Sequence, residues 1–314
     1  MITALNSPRW PKRLAVLGLL VSTALSGCLS WHKGPMPGEP TKAKYANVDG
    51  VRVRYEDAGP LAGATDLPPV VLIHGFASAL ETWATVAPKL RQHRRVIALD
   101  LKGFGWTDRP EGDYSPMAQG KMLLGLLQQL GVDQFDVVAH SWGSSVALAA
   151  TLQAPNKVRK IALYDAWVFD DQLPAFFRWA KVPGVGEFLF GAYYKERGDE
   201  RLVRAFFDPS GIREEFIEEV ERALDRPGTV AAALAAVRGQ NYDLLEQQYP
   251  TIRQPVLLLW GRDDIVTWPI FGERLARTLP NAQLEIFDRC GHFPMLEAAL
   301  PSYRSLADFL GVQR

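Results

Sequence analysis

The sequence predicts an α/β architecture: a mostly parallel, eight-stranded sheet flanked by helices and interrupted by an inserted helical lid. Three observations carry this. Short apolar runs recur from Val70 to Ile73, Val96 to Leu99, Phe135 to Val138, Val158 to Tyr164, Val256 to Trp260 and Leu284 to Phe287. Helix-forming stretches such as Met117 to Leu130 and Val146 to Leu152 separate most of them, and continuous apolar strands alternating with helices build a parallel sheet covered on both faces. Residues 166–250, finally, hold a pair of strands apart by far more chain than one crossover needs.

Taken in order, the chain opens with Arg9, Lys12 and Arg13 before an apolar stretch from Leu14 to Ala24, too short to span a bilayer as a finished helix. It closes on Leu25-Ser26-Gly27-Cys28. This resembles the lipobox of bacterial lipoproteins, in which the cysteine is acylated and becomes the first residue after cleavage. The resemblance implies a signal peptide over 1–27, lipidation of Cys28 and durable membrane anchoring by several acyl chains. With Leu29 rather than aspartate following, it further implies the bacterial outer membrane, facing the periplasm. The plainer reading is an ordinary secretory signal or a short anchor. Residues 28–45 then read as the lipidated N-terminus and tether, extended by Gly34, Pro35, Pro37, Gly38 and Pro40.

The core occupies 46–165 and 251–314. It begins with alternation from Val48 to Tyr55 around Asp49-Gly50, the signal of an antiparallel hairpin. The lid over 166–250 carries helix-like pieces at Arg213 to Leu224 and Thr229 to Arg238.

Bulk composition excludes some functions. Among 314 residues Lys+Arg and Asp+Glu both number 35, so there is no excess of positive charge to draw a nucleic-acid partner. Cys28 and Cys290 are the two cysteines, so acylation of the first leaves no intramolecular disulfide. No His/Cys/Asp cluster has metal-ligand spacing, and Gly184-Val185-Gly186 lies in the lid rather than at the first strand–helix turn; neither metal nor organic cofactor is expected.

The chemistry is concentrated in Ala139-His140-Ser141-Trp142-Gly143. A strand feeding a helix through so tight a turn strains the middle residue, tolerates only small neighbours, and leaves the Ser141 hydroxyl standing clear of the sheet. Three further pieces fall around it: His74-Gly75-Phe76 after an upstream strand, Gly261-Arg262-Asp263-Asp264 after a downstream one, and Gly291-His292-Phe293 beyond the last. Serine, then acid, then histidine is the chain order of the α/β-hydrolase fold. With Asp100-Leu101-Lys102-Gly103-Phe104-Gly105 and Trp260-Gly261, the chain from about 46 to 312 resembles the serine α/β-hydrolases, esterase- or lipase-like with a helical lid. Ala139 departs from the glycine commonest at that position, but it is still small.

A serine hydroxyl needs an imidazole to take its proton, and the imidazole needs a carboxylate at its far nitrogen. Ser141 and His292 fill the first two roles; His32, His93 and His140 lack the position after the last strand. Asp264, three residues after Gly261, is the leading acid, with Asp263 and Asp165 as alternatives. The resemblance makes the backbone N–H groups of Trp142 and Phe76 the oxyanion hole. His74 and Asp100 read as loop-ordering residues, and Cys290 as a small packed residue rather than a nucleophile.

Aromatic stretches in the lid, Ala175 to Trp179 and Phe188 to Tyr194, either pack it onto the core or form an apolar pocket with an edge that dips into a membrane. The expected function is hydrolysis of small-molecule carboxylic esters with apolar acyl or alcohol parts, through an acyl-enzyme. The alternatives are carbon–carbon bond hydrolysis as in meta-cleavage hydrolases (which typically carry tryptophan where Phe293 stands), cofactor-free perhydrolysis, or a non-catalytic envelope binding protein.

Overall fold

The computed structural model describes residues 29–63, 65–196 and 198–312. The apolar stretch ending at Cys28, with its inferred cleavage and acylation, lies outside them.

Eight strands form one sheet: β1 (Lys44–Val48), β2 (Val51–Ala58), β3 (Val70–Ile73), β4 (Val96–Leu99), β5 (Phe135–His140), β6 (Val158–Tyr164), β7 (Val256–Gly261) and β8 (Ala282–Phe287). Their order across the sheet is β1-β2-β4-β3-β5-β6-β7-β8. β1 and β2 pair antiparallel, and β2 runs antiparallel to β4; every later pair is parallel. The hairpin closes through Asp49 and Gly50, both at positive φ (50° and 80°), the conformation a two-residue turn requires to match strand twist.

Period-two alternation sorts each central strand onto two cores. Val71, Ile73, Ile97, Leu99, Val137, Ala139, Ile161, Leu163 and Leu258 face one. Val70, Leu72, Val96, Ala98, Val138, Ala162, Tyr164, Leu257 and Leu259 face the other. The first is covered by α1 (Pro116–Gln129) and α2 (Gly143–Gln153). The second is covered mainly by a one-turn helix at Ala87–Leu90 and by the C-terminal helix Ala299–Leu310. Each aliphatic side chain removed from water on these faces contributes about 1.5–3 kcal/mol, which makes the sheet the rigid portion of the molecule.

Between β6 and β7 the chain leaves the sheet for an all-helical insertion: α3 (Ala175–Ala180), α4 (Val185–Tyr193), α5 (Gly198–Arg204), α6 (Glu214–Asp225) and α7 (Thr229–Gly239), with shorter turns between and after them. Its own small core joins Ala180, Phe190, Tyr194, Leu224, Ala233, Leu234 and Val237.

The N-terminal segment differs from the extended tether expected of it. Residues from Leu29 onward lie against the body, and β1 starts at Lys44, inside the segment read as tether. His32 bridges to Arg109, Met36 is buried, Trp31 stacks on Tyr114 at 5.9 Å, and Leu29 packs on the core of the insertion. Proline and glycine supplied the extension; the apolar residues between them supplied partners that composition does not reveal.

One buried ion pair ties the N-terminal ends of the strands together. Arg94 and Asp136, both fully buried, meet at 2.7 Å, and Arg94 also donates to the carbonyls of Pro68 and Leu310. Asp136→Ala leaves the guanidinium charge buried without its counter-ion, so it is expected to lower stability by about 3–5 kcal/mol in a urea titration. A loss below about 1 kcal/mol would contradict this account of the pair.

Candidate active site

The site is assembled where β3, β5, β7 and β8 end, on the carboxyl edge of the sheet where side chains from different strands can meet. β5 delivers Ser141 at φ 51°, the strained turn that the sequence signals. The turn is pinned on both sides: Ser141 N–H donates to the Tyr164 carbonyl at 2.9 Å, and Trp167 N–H donates to the Ser141 carbonyl at 3.0 Å.

Close approach explains the small residues. A Cβ on Gly143 would lie 2.3 Å from the His74 carbonyl oxygen and 2.8 Å from that of Ile73. A Cβ on Gly75 would meet the Ser141 Cβ at 3.0 Å. The turn after β5 and the loop after β3 are thus pressed together, so the backbones of Phe76 and Trp142 flank Ser141. Trp142 is the N-cap of α2, where backbone N–H groups have no partner within the helix and the helix dipole favours negative charge.

The three distant side chains converge. His292 Nε2 lies 3.0 Å from Ser141 Oγ, and His292 Nδ1 lies 2.8 Å from Asp264 Oδ2. Asp264 also accepts from the N–H groups of Val266 and Thr267 and from the Thr267 hydroxyl. Burial by itself would raise the Asp264 carboxyl, but His292 and these donors hold it below the ordinary carboxylate range. It is therefore ionised and fixes a proton on His292 Nδ1, leaving Nε2 free to accept the serine proton.

The alternative acids fall elsewhere. Asp263 is exposed, and its carboxylate accepts from Cys290 N–H rather than from the imidazole. Asp165 is fully buried, accepts from Gly261 N–H at 2.9 Å, and lies within 4.8 Å of both Asp264 and His292. Burial, then the adjacent Asp264 charge, pushes its carboxyl well above the ordinary range, so it stays protonated. These three residues are the one group among the described residues spaced to hold a metal, but two of them are already hydrogen-bonded to each other.

The loop-ordering residues are found at work. His74 joins the loop after β3 to that after β4, with Nδ1 2.7 Å from the Gly75 carbonyl and Nε2 accepting from Leu101 N–H. Burial lowers its pKa, which keeps it neutral. Asp100 accepts from the N–H groups of Leu80 and Trp106 and from Arg54. Cys290 is buried, and burial pushes its thiol up, away from nucleophilic character.

Two positioning residues escaped the sequence reading. His140 packs on the His292 ring at 4.7 Å, and its Nε2 lies 2.8 Å from the His292 carbonyl. Burial and the neighbouring His292 depress its pKa well below the usual value, so it does not compete for the proton. Its place beside the nucleophile was the available signal. Glu297 accepts from the N–H groups of Gly291 and Phe293, and from Phe207 N–H in the insertion. A proline followed by an acid in a first helical turn, Pro294 to Glu297, was its signal.

Above Ser141 lies a cavity of about 340 Å³. Core residues Phe76, Trp142, His292 and Phe293 form its floor, and Pro174, Phe177, Tyr194, Phe216, Val220 and Leu224 of the insertion roof it. Among the described residues, no lysine, arginine, aspartate or glutamate lines it. Lining residues that hold a buried polar atom with no partner among the described residues include His140 (Nδ1), Trp142 (Nε1), Trp167 (Nε1) and Gln240 (Oε1).

A family model described as the alpha/beta hydrolase fold matches residues 68–299. The chain is 34% identical over 280 residues to a 2-hydroxy-6-oxo-2,4-heptadienoate hydrolase of Pseudomonas putida, covering 84% of this chain and 94% of that one. Its structure is similar to the meta-cleavage product hydrolase of Pseudomonas fluorescens IP01, with a TM-score of 0.72, 26% identity, and coverage of 85% and 97%. It is similar also to a thermophilic esterase of Thermogutta terrifontis, with a TM-score of 0.71, 25% identity, and coverage of 86% and 98%.

Asp165→Asn tests the protonation pattern. Replacing a neutral acid by an amide changes no charge, so the acid limb of kcat/KM against pH is expected to stay in place. Were Asp165 ionised, losing its charge would destabilise the imidazolium and move that limb to lower pH by roughly half a unit or more.

Proposed function

Because the chain belongs to the alpha/beta hydrolase family, we propose that it is a serine hydrolase working through an acyl-enzyme on Ser141, His292 and Asp264. Ser141 Oγ attacks a carbonyl carbon while His292 Nε2 takes its proton. The negative charge moves to the carbonyl oxygen, where the N–H groups of Trp142 and Phe76 receive it; each such donor is worth about 3–4 kcal/mol of barrier. Collapse expels the leaving group, which takes the proton from His292. Water then attacks the acyl carbon, gives its proton to His292, and frees Ser141 as the acid departs.

The substrate we propose is a neutral carboxylic ester with an apolar acyl or alcohol group. The observation that carries this is the lining of the cavity by described residues that include no lysine, arginine, aspartate or glutamate and are largely aromatic and aliphatic. A carboxylate seated there would lose its hydration without gaining a cation.

Carbon–carbon bond hydrolysis is the second reading, and the named relatives favour it over ester cleavage. A heptadienoate hydrolase and a meta-cleavage product hydrolase stand among the similar proteins, and the same triad serves that reaction. A dienoate bears a carboxylate, however, and among the described residues no lysine or arginine lines the cavity to pair with it. We also infer, from Leu25 to Cys28, that the chain is lipid-anchored in a bacterial envelope.

Rates on p-nitrophenyl esters of increasing acyl length and on 2-hydroxy-6-oxo-2,4-heptadienoate separate the readings. Medium-chain neutral esters are expected to exceed both the acetate and the dienoate in kcat/KM by about tenfold or more. Ser141→Ala should lower turnover by roughly a million-fold. Dienoate cleavage that outpaces every ester would overturn the ester reading in favour of the carbon–carbon one.

A further inference from the structure

From Leu173 to Tyr194 the insertion carries an apolar face that no other described residue covers. Trp179 is 61% exposed and Phe188 47%, and Val182, Val185 and Tyr193 are similarly open to solvent. Phe188 and Tyr193 meet edge to face at 6.2 Å, so they form one surface rather than scattered side chains. The carboxylate in this stretch, Glu187, is neutralised by two hydrogen bonds from Arg238, at 2.8 and 2.9 Å. The stretch also brings two cations, Arg178 and Lys181.

Where the chain enters the fold gives this face its partner. Leu29 packs on the core shared by α4 and α7 and stands with Glu187 and Leu234 at a common hollow. In the sequence Cys28 immediately precedes Leu29. The sequence before it runs apolar from Leu14 to Ala24. If the segment that ends at Cys28 is the lipid anchor inferred above, it joins the described chain at Leu29, which packs beside α4. Among the described residues no helix is long and apolar enough to cross a membrane.

We propose that the outer face of α3 and α4 is a bilayer-contact surface, lying in the headgroup layer of a phospholipid membrane with Trp179, Val182, Val185 and Phe188 inserted. Tryptophan and phenylalanine suit that depth, and the positive charge of Arg178 favours anionic lipid. A lipid anchor and an apolar face on the same side act together, since single weak membrane signals release readily. The face and the cavity share their wall: Phe177 on α3 lines the cavity, and Trp179 on the same helix is exposed. The proposal concerns this surface and holds whichever bond the enzyme breaks.

The test uses the full chain on vesicles of phosphatidylcholine and phosphatidylglycerol in equal amounts, doped with a phospholipid bearing a diazirine in its acyl chain. After photolysis and trypsin digestion, adducts are expected several-fold enriched on the peptide 182–195 over the peptide 278–289 that carries β8, none of whose residues lines the cavity. The variant Val185→Ser/Phe188→Ser should lose that enrichment. Its hydrolysis of a soluble short-chain ester should be unchanged, because neither residue lines the cavity. Three results would overturn the proposal: adducts spread evenly, adducts confined to the peptide with Ile265, Trp268 and Ile270, or, when the same vesicles are treated with a bifunctional protein cross-linker, chain-to-chain cross-links at 182–195 showing that a second copy covers the face.

Discussion

The active centre depends on how closely the turn at Ser141 is pressed against the end of β3. A non-glycine residue at φ 51° costs on the order of 1–3 kcal/mol, and the conformation persists because its surroundings allow no other. Gly143 lies against the carbonyls of Ile73 and His74, Gly75 lies against Ser141, and the Ser141 peptide groups bond to Tyr164 and Trp167. Relax any of these and the hydroxyl leaves the line to His292. The rigid two-faced sheet makes such tolerance achievable, because β3, β5 and β6 are adjacent strands whose ends cannot drift apart.

Around that turn, burial controls charge. Five titratable side chains, His74, His140, Asp165, Asp264 and His292, are all buried, yet a working relay needs a single carboxylate and one imidazole able to ionise. Desolvation keeps His74, His140 and Asp165 neutral, while Asp264 alone of the five collects enough donors to remain ionised. Coulomb interactions are strong in so dry a place, which makes the neutrality of the bystanders as necessary as the charge of the relay.

Much of this was legible in the sequence, for identifiable reasons. Strand periodicity exposed the sheet because burial on two faces demands continuous apolar runs, and Ser141 was legible because its turn restricts neighbouring residue types. Asp264 could only be ranked above Asp263 and Asp165, since all three follow strands that end at the same edge; only distance to His292 separates them. His140 and Glu297 act through contacts across 152 residues and with the insertion, which no local pattern records. The docking of residues 29–43 was likewise hidden, because its proline-rich composition reports local stiffness and says nothing of distant partners such as Arg109 and Tyr114.

The central claim is that Ser141 is chemically activated by its histidine, and phosphonylation reads this directly. A fluorophosphonate followed by peptide mass analysis is expected to modify Ser141 in the folded chain, with loss of the adduct in Ser141→Ala and strong slowing in His292→Ala. Folded protein that resists the reagent at Ser141, or that is labelled as fast without His292, would contradict the account.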